Sequence, residues 1–241
     1  MKKLISILSI AALVLTITTS CEKECECKCP QTEEKTLTAQ PGPDNGQDCL
    51  VAYRETDGGL YANSNLNSNP DMAASRWTYS SQGAGEGTVR TYFRFTQLSE
   101  VPQSAVIKSA KLSLYGLSSG VSSPEGNSVY PGSPYSSYGT NACWLKRATG
   151  TWDESTIKWN NKPSTTDVNQ VEVPASTSQW NYNVTDLDVT QLVKDMVSNN
   201  QNYGFVLQLQ YEQIYRSLNF ASSEVADATK RPKLVVVYES N

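Results

Sequence analysis

Residues 87–98 read GTVRTYFRFTQL. Val89, Thr91, Phe93 and Phe95 alternate with Arg90, Tyr92 and Arg94, the period-2 pattern of a β-strand that buries one face. The same period recurs downstream. In SAKLSLYG (109–116) Ala110, Leu112 and Leu114 alternate with Lys111, Ser113 and Tyr115, and in YGFVLQLQY (203–211) Phe205, Leu207 and Leu209 are set against Gln208 and Gln210. KLVVVYE (233–239) is apolar on both sides, which predicts a central strand or one covered on both faces. Clusters of Gly, Ser, Asn and Pro separate these runs, so the expected fold class is all-β, a β-sandwich or jelly roll. A single segment breaks the strand period. In DVTQLVKDMVSNN (188–200) Val189, Leu192, Val193, Met196 and Val197 recur at helical spacing, which predicts one short α-helix entered at Asp188 or Thr190 and ended at Asn199 or Asn200.

The N-terminus has a different grammar. Lys2 and Lys3 precede an uncharged apolar run over residues 4–19, the layout of a secretory signal peptide spanning 1–20. Thr19 and Ser20 lead into Cys21 in a way that resembles a bacterial lipobox, with Thr18 standing where such boxes usually carry Leu. In that reading Cys21 becomes the first mature residue and carries the lipid. Glu22, Glu24 and Glu26 resemble the signals that send some Gram-negative lipoproteins to the outer face of the outer membrane. The expected location is therefore the outer membrane, with the lipid as the only membrane contact.

Residues 21–47, rich in Cys and Glu and then in Thr, Gln, Pro and Gly, read as a lipidated cysteine followed by a flexible linker, and residues 48–241 as one domain. With Cys21 acylated, Cys25, Cys27, Cys29, Cys49 and Cys143 remain, an odd number whose pairing the sequence leaves open. The x-spaced thiols do not match the C-x2-C pairs of zinc sites, and the chain has no histidine to complete a set.

Composition excludes several function classes. Without residues 1–20 the chain keeps 18 basic and 24 acidic residues, a net charge of −6, which argues against a nucleic-acid partner. The absence of histidine removes the Ser-His-Asp triad, the Cys-His pair and the usual zinc hydrolase sites. Two carboxylates could still cleave a glycosidic bond, but Asp153 and Glu154 are adjacent and on a strand would point to opposite faces. Tyr92 with Arg94 has the functional groups of a polysaccharide lyase, and that alternative stays open. Asp186 and Asp188 could serve a structural calcium or, as well, cap the helix entry.

Four blocks in order carry a resemblance: VRTYFRFTQLSEVPQSAVIKSAKLSLYG, TWDESTIKWNNKP, DVTQLVKDMVSNNQNYGFVLQ and FASSEVADATKRPKLVVVYE. They resemble DNRLRE domains, extracellular β-sandwiches similar to family 96 carbohydrate-binding modules, over about residues 48–238. The block from Trp152 to Pro163 and the terminal R-P-K-L-V-V are the most specific elements, and Trp152 and Trp159 read as packing residues of it. A long Tyr, Ser, Gly and Pro insertion at 116–143 and a loosely matching N-terminal strand, CLVAYRETDGGLY, depart from the pattern. The resemblance implies a non-catalytic role in binding extracellular polysaccharide, and some relatives recognise acidic algal glycans.

Two sets of residues are candidate glycan contacts. Arg90, Tyr92 and Arg94 share one strand face, where Tyr would stack on sugar C–H and Arg would fork onto a carboxylate, with Gln208 and Gln210 adding planar hydrogen bonds from a neighbouring strand. Tyr130, Tyr135 and Tyr138 sit in the inserted loop and could form an aromatic platform, each contact adding about 1 kcal/mol, so that retention would depend on many anchored copies. The competing reading is a structural or adhesive surface protein with protein partners and no sugar site. Exposure decides between them: a binding surface must be open.

Overall fold

The structure is a computed structural model of the chain and describes residues 33–240. Cys21, the thiols at 25, 27 and 29, and the signal segment lie outside the described residues. Eleven strands and one helix follow in the order β1 (Glu33–Ala39), β2 (Gln47–Arg54), β3 (Asp71–Thr78), β4 (Glu86–Arg94), β5 (Val106–Leu114), β6 (Cys143–Ala148), β7 (Thr165–Val173), β8 (Val184–Asp188), α1 (Thr190–Ser198), β9 (Phe205–Leu209), β10 (Arg216–Ala221) and β11 (Lys233–Ser240). One sheet runs β1-β11-β5-β8. The other runs β10-β3-β4-β9-β6-β7, with β2 also paired to β4. All pairings are antiparallel, and the fold is an all-β sandwich with a single short helix.

The main core lies between the sheets and is built from the residues that the alternation selects. Phe93 and Phe95 meet Phe205 with ring centroids 5.4 and 6.3 Å away, and Leu112, Leu114, Leu207 and Leu234 are fully buried around them. Each such side chain contributes about 1.5–3 kcal/mol by leaving water. The helix buries Leu192, Val193, Met196 and Val197 against this core. At its entry Asp188 Oδ1 accepts the Thr190 N–H (3.0 Å), while Asp188 Oδ2 takes the Lys111 ammonium (2.8 Å), so Asp188 serves the helix entry as a cap. Asn200 closes the exit at φ 51°. KLVVVYE lies between β1 and β5, a central position as expected, with Leu234 and Val236 buried and the alternate valines only half-buried.

The linker reading needs correction. Residues 33–47 belong to the fold: β1 pairs with β11 from Glu33↔Ser240 to Ala39↔Leu234, and the Gln40 side chain bonds the Arg231 carbonyl. The strand EEKTLTA is polar because it is an edge strand with one solvated side, which its composition alone made look unstructured.

The second sheet has a fork that shapes the surface. β2 lies along one edge of β4 from Gln47↔Arg94 to Arg54↔Gly87, so the other edge is shared between β3 at Glu86–Val89 and β9 at Thr91–Phe93. At the branch the Thr91 hydroxyl accepts the Ala73 N–H and donates to the Ala73 carbonyl, both at 2.9 Å, which satisfies the β3 backbone where it leaves β4.

Candidate functional site

The two faces of β2 and β4 have opposite fates. Cys49 and Val51, Tyr92 and Val206 form one face, and the Trp152–Pro163 block closes over it. Trp152 donates Nε1–H to the Tyr203 carbonyl (2.7 Å), and Tyr92 donates its hydroxyl to the Pro163 carbonyl (2.7 Å). Asn65 donates to the Glu154 and Ile157 carbonyls (2.7 and 2.8 Å), tying the block down further. Tyr92 is 1% exposed, and burial pushes its hydroxyl up to about 12. It can neither stack on a sugar nor act as a lyase base.

The flanking arginines are engaged as well. Arg90 makes a two-point ion pair with Glu212 (2.7 and 2.9 Å) with its guanidinium 5.1 Å from the Trp159 ring. Arg94 bonds Gln47 and lies 5.2 Å from the Trp152 ring, with burial lowering its pKa. Gln208 is half-buried beside Trp144 on β6, and Gln210 donates to Glu172 (3.1 Å). The expected open strand face is therefore corrected to a covered one, and Trp152 is a packing residue.

Asp153 and Glu154 lie in a turn rather than on a strand. Asp153 accepts from Ser155, which holds its carboxyl low, while Glu154 Oε1 accepts the Asp48 N–H (2.9 Å). Burial raises Glu154 to about 7 and Asp48 to about 6. The Glu154 carboxylate thereby clamps the tryptophan block to the start of β2, while the Asp48 carboxylate accepts the Ser223 N–H (2.9 Å). Cys49 and Cys143 are free and buried, with burial raising Cys49 to about 12.

The other face of β2 is buried at Leu50 and Ala52, each 3% exposed, and opens only toward half-buried Arg54. Leu50, Ala52 and Arg54 alternate onto it, joined by Val89 on β4 and Trp77 on β3, and together they floor a cleft of about 400 Å³. Gly87 sits opposite both Arg54 and Trp77, and a Cβ there would lie 2.7 Å from the Tyr79 ring and 2.9 Å from Arg54, so any larger residue would force those side chains to move. One wall comes from the 3-10 turn at Tyr61–Asn63 and from Leu66, and the other from residues 121–126. Buried Asp71 holds that second wall by accepting the Val121 N–H (3.1 Å), the Ser122 N–H (3.0 Å) and the Ser122 hydroxyl (2.7 Å).

Two charged residues line the cleft, Arg54 and exposed Glu125. The Arg54 guanidinium is stacked between Tyr61 and Tyr79, 3.5 and 3.7 Å from their ring centroids, and donates to Gln82 (2.6 Å). Among the described residues no carboxylate pairs with it, and Glu55 and Glu86, on the opposite side of the sheet, both bond Arg76 at 2.8 Å. A planar cation held by two rings and outside these ion pairs suits a bound carboxylate or sulfate.

The inserted loop joins this site. Rather than looping into solvent it runs along β10, with the Ser128 N–H bonding the Ser217 carbonyl (3.0 Å) and Asn127 accepting the Asn219 N–H (2.8 Å). Tyr135 packs edge-on to Trp77 at 4.7 Å and stacks with Tyr215 at 5.6 Å, and Tyr138 meets Tyr215 at 4.8 Å. Tyr135 and Tyr138 are thus brought beside Trp77 at the end of the cleft, and burial raises the Tyr135 hydroxyl, with Glu125, Tyr215 and half-buried Tyr130 adding to the shift. Trp77, Arg54, Tyr61, Tyr79 and Tyr215 were not singled out from sequence. The only available signal was alternation, which places Arg54 with Leu50 and Ala52 on one face.

Among the described residues no helix is long and apolar enough to cross a membrane. A search of curated proteins returns no match to the chain. The sequence model for carbohydrate-binding module family 96 matches residues 56–238, which include β3 to β10, the Trp152–Pro163 block and most of the cleft. The match spans most of the chain, and the protein belongs to carbohydrate-binding module family 96.

Proposed function

We propose that the domain binds polysaccharide in the cleft floored by Leu50, Ala52, Arg54, Val89 and Trp77, and does so without cleaving it. The observation that carries this reading is Arg54, a cation held between two tyrosines at the cleft and, among the described residues, in no ion pair with a carboxylate. It favours an acidic glycan, with a uronate carboxylate or sulfate forking onto the guanidinium and the Trp77 ring offering a face to the sugar. The reading extends to the whole chain: residues 1–20 are removed, Cys21 is lipidated, and the domain is displayed from the outer membrane on a tether that ends before β1. Many anchored copies on one surface would turn modest single-site affinity into retention of a polymer.

The test is affinity electrophoresis of full-length protein in detergent through gels containing polyuronate, sulfated or neutral polysaccharide, with Arg54→Ala beside wild type. Retardation by an acidic polymer that folded Arg54→Ala loses supports the proposal. Equal retardation of both proteins moves the site elsewhere. No retardation in any gel favours the structural or adhesive role instead.

A further inference from the structure

Beyond the cleft, the aromatic group at its end is built with more care than incidental loop tyrosines would need. Tyr215 lies just before β10 at φ 62°, in the left-handed region that a bulky side chain avoids, and this backbone choice puts its ring among Trp77, Tyr135 and Tyr138. The loop carrying Tyr138 is stapled to the same place. Buried Arg216 donates Nη2–H to the Tyr138 carbonyl (2.6 Å) and to Gln213 (2.7 Å), while Gly139, at φ 112°, leaves room for that guanidinium, which a Cβ would approach to 2.6 Å. Trp77 belongs both to the cleft and to this group. Tyr138 stays 46% exposed, and Tyr135 and Tyr215 are half-buried.

We infer that Trp77, Tyr135, Tyr138 and Tyr215 form a preorganised stacking shelf that continues the cleft, so that the protein reads an internal stretch of an extended glycan chain rather than a terminal residue. The inference rests on the proposed binding in the cleft. A ligand anchored at Arg54 passes Trp77 and lies across the shelf, which is set in advance by Arg216 and costs little ordering on binding. Arg216 touches no sugar and acts as a positioning residue. Tyr138, 46% exposed at the far side of the cluster, leaves the shelf open to a continuing chain, whereas a pocket for a chain end would be closed beyond Trp77.

The experiment is isothermal titration of full-length protein in detergent with uronate oligosaccharides of two, four, six and eight residues prepared from a polyuronate. For wild type the affinity should rise at least about tenfold from dimer to hexamer and then level off, as two further stacking contacts would give. In Tyr138→Ala, and in Tyr215→Gly, which suits the left-handed backbone, the hexamer-to-dimer ratio should fall to within about threefold of unity, the loss of roughly one of those contacts or more. The Arg54→Ala variant should weaken oligomers of every length and keep the ratio. A wild-type affinity that is flat beyond the dimer, or a ratio unchanged in both tyrosine variants, overturns the shelf while leaving the cleft reading intact. Failure of oligomers and parent polymer alike to bind overturns both.

Discussion

The two faces of β2 and β4 start from similar material and end in opposite roles. Each presents alternating apolar residues beside an arginine and aromatic rings: Val51, Tyr92, Arg90 and Arg94 on one, Ala52, Val89, Trp77 and Arg54 on the other. The first is sealed by the Trp152–Pro163 block, its arginines taken by Glu212 and Gln47. The second is buried at Leu50, Ala52 and Val89 and opens as a cleft only toward Arg54, which is stacked on two tyrosines and forms no ion pair among the described residues. Composition does not separate a packing face from one that carries a cleft here. What separates them is whether a distant segment returns to cover the strand and whether each charge has found its counterpart.

The largest effect expected from this contrast is on stability. Trp152→Ala should cost about 3–5 kcal/mol, the range for removing a large buried aromatic, and lower the melting temperature steeply. The companion change on the cleft face, Arg54→Ala, should leave the melting temperature within a few degrees of wild type and abolish retardation by acidic polysaccharide. If Arg54→Ala proves to be the destabilising one, the assignment of roles is reversed. Gly87→Val should follow, reducing affinity by about tenfold or more, because its side chain would push into Tyr79 and Arg54.

A smaller effect comes from pH. Asp48 and Glu154, raised by burial to about 6 and about 7, hold protons in the folded state that the unfolded chain releases near pH 4. Folding therefore takes up protons across that window, and stability falls as pH rises through it. Asp153, Asp188 and Asp227 are shifted downward and lose their contribution only below the ordinary carboxylate range, so they do not mask this trend. Thermal melts should show a higher midpoint at pH 5.5 than at pH 7.5, with Glu154→Gln flattening the difference. A midpoint that rises toward pH 7.5 would contradict the buried state of the two carboxyls. The smallest effect belongs to the covered face: Arg90→Ala should change glycan affinity by less than twofold, since its guanidinium is already paired with Glu212.

Much of the fold was legible because alternation reports burial directly. Phe93, Leu112 and Leu207 all point inward as their strand period requires, and the helix buries the residues its spacing selects. β1 was not legible, since a polar edge strand has the composition of a linker. The site was only half legible. Period 2 tells which residues share a face, but not that Pro163, 71 positions away, would close over Tyr92. Nor does it tell that Glu55 and Glu86 would both gather on Arg76. The inserted loop marked itself by its tyrosines, yet their partners Trp77 and Tyr215 lie on strands and turns with no motif of their own.

The most direct test of the account is hydroxyl-radical footprinting of the full-length protein with and without an acidic polysaccharide that retards it. Protection of Tyr61, Trp77 and Tyr138, with Tyr53 and Trp159 reacting as before, is the predicted result. Protection of Tyr53 and Trp159 instead, with the cleft aromatics unchanged, would place the ligand on the face assigned to packing and contradict the account.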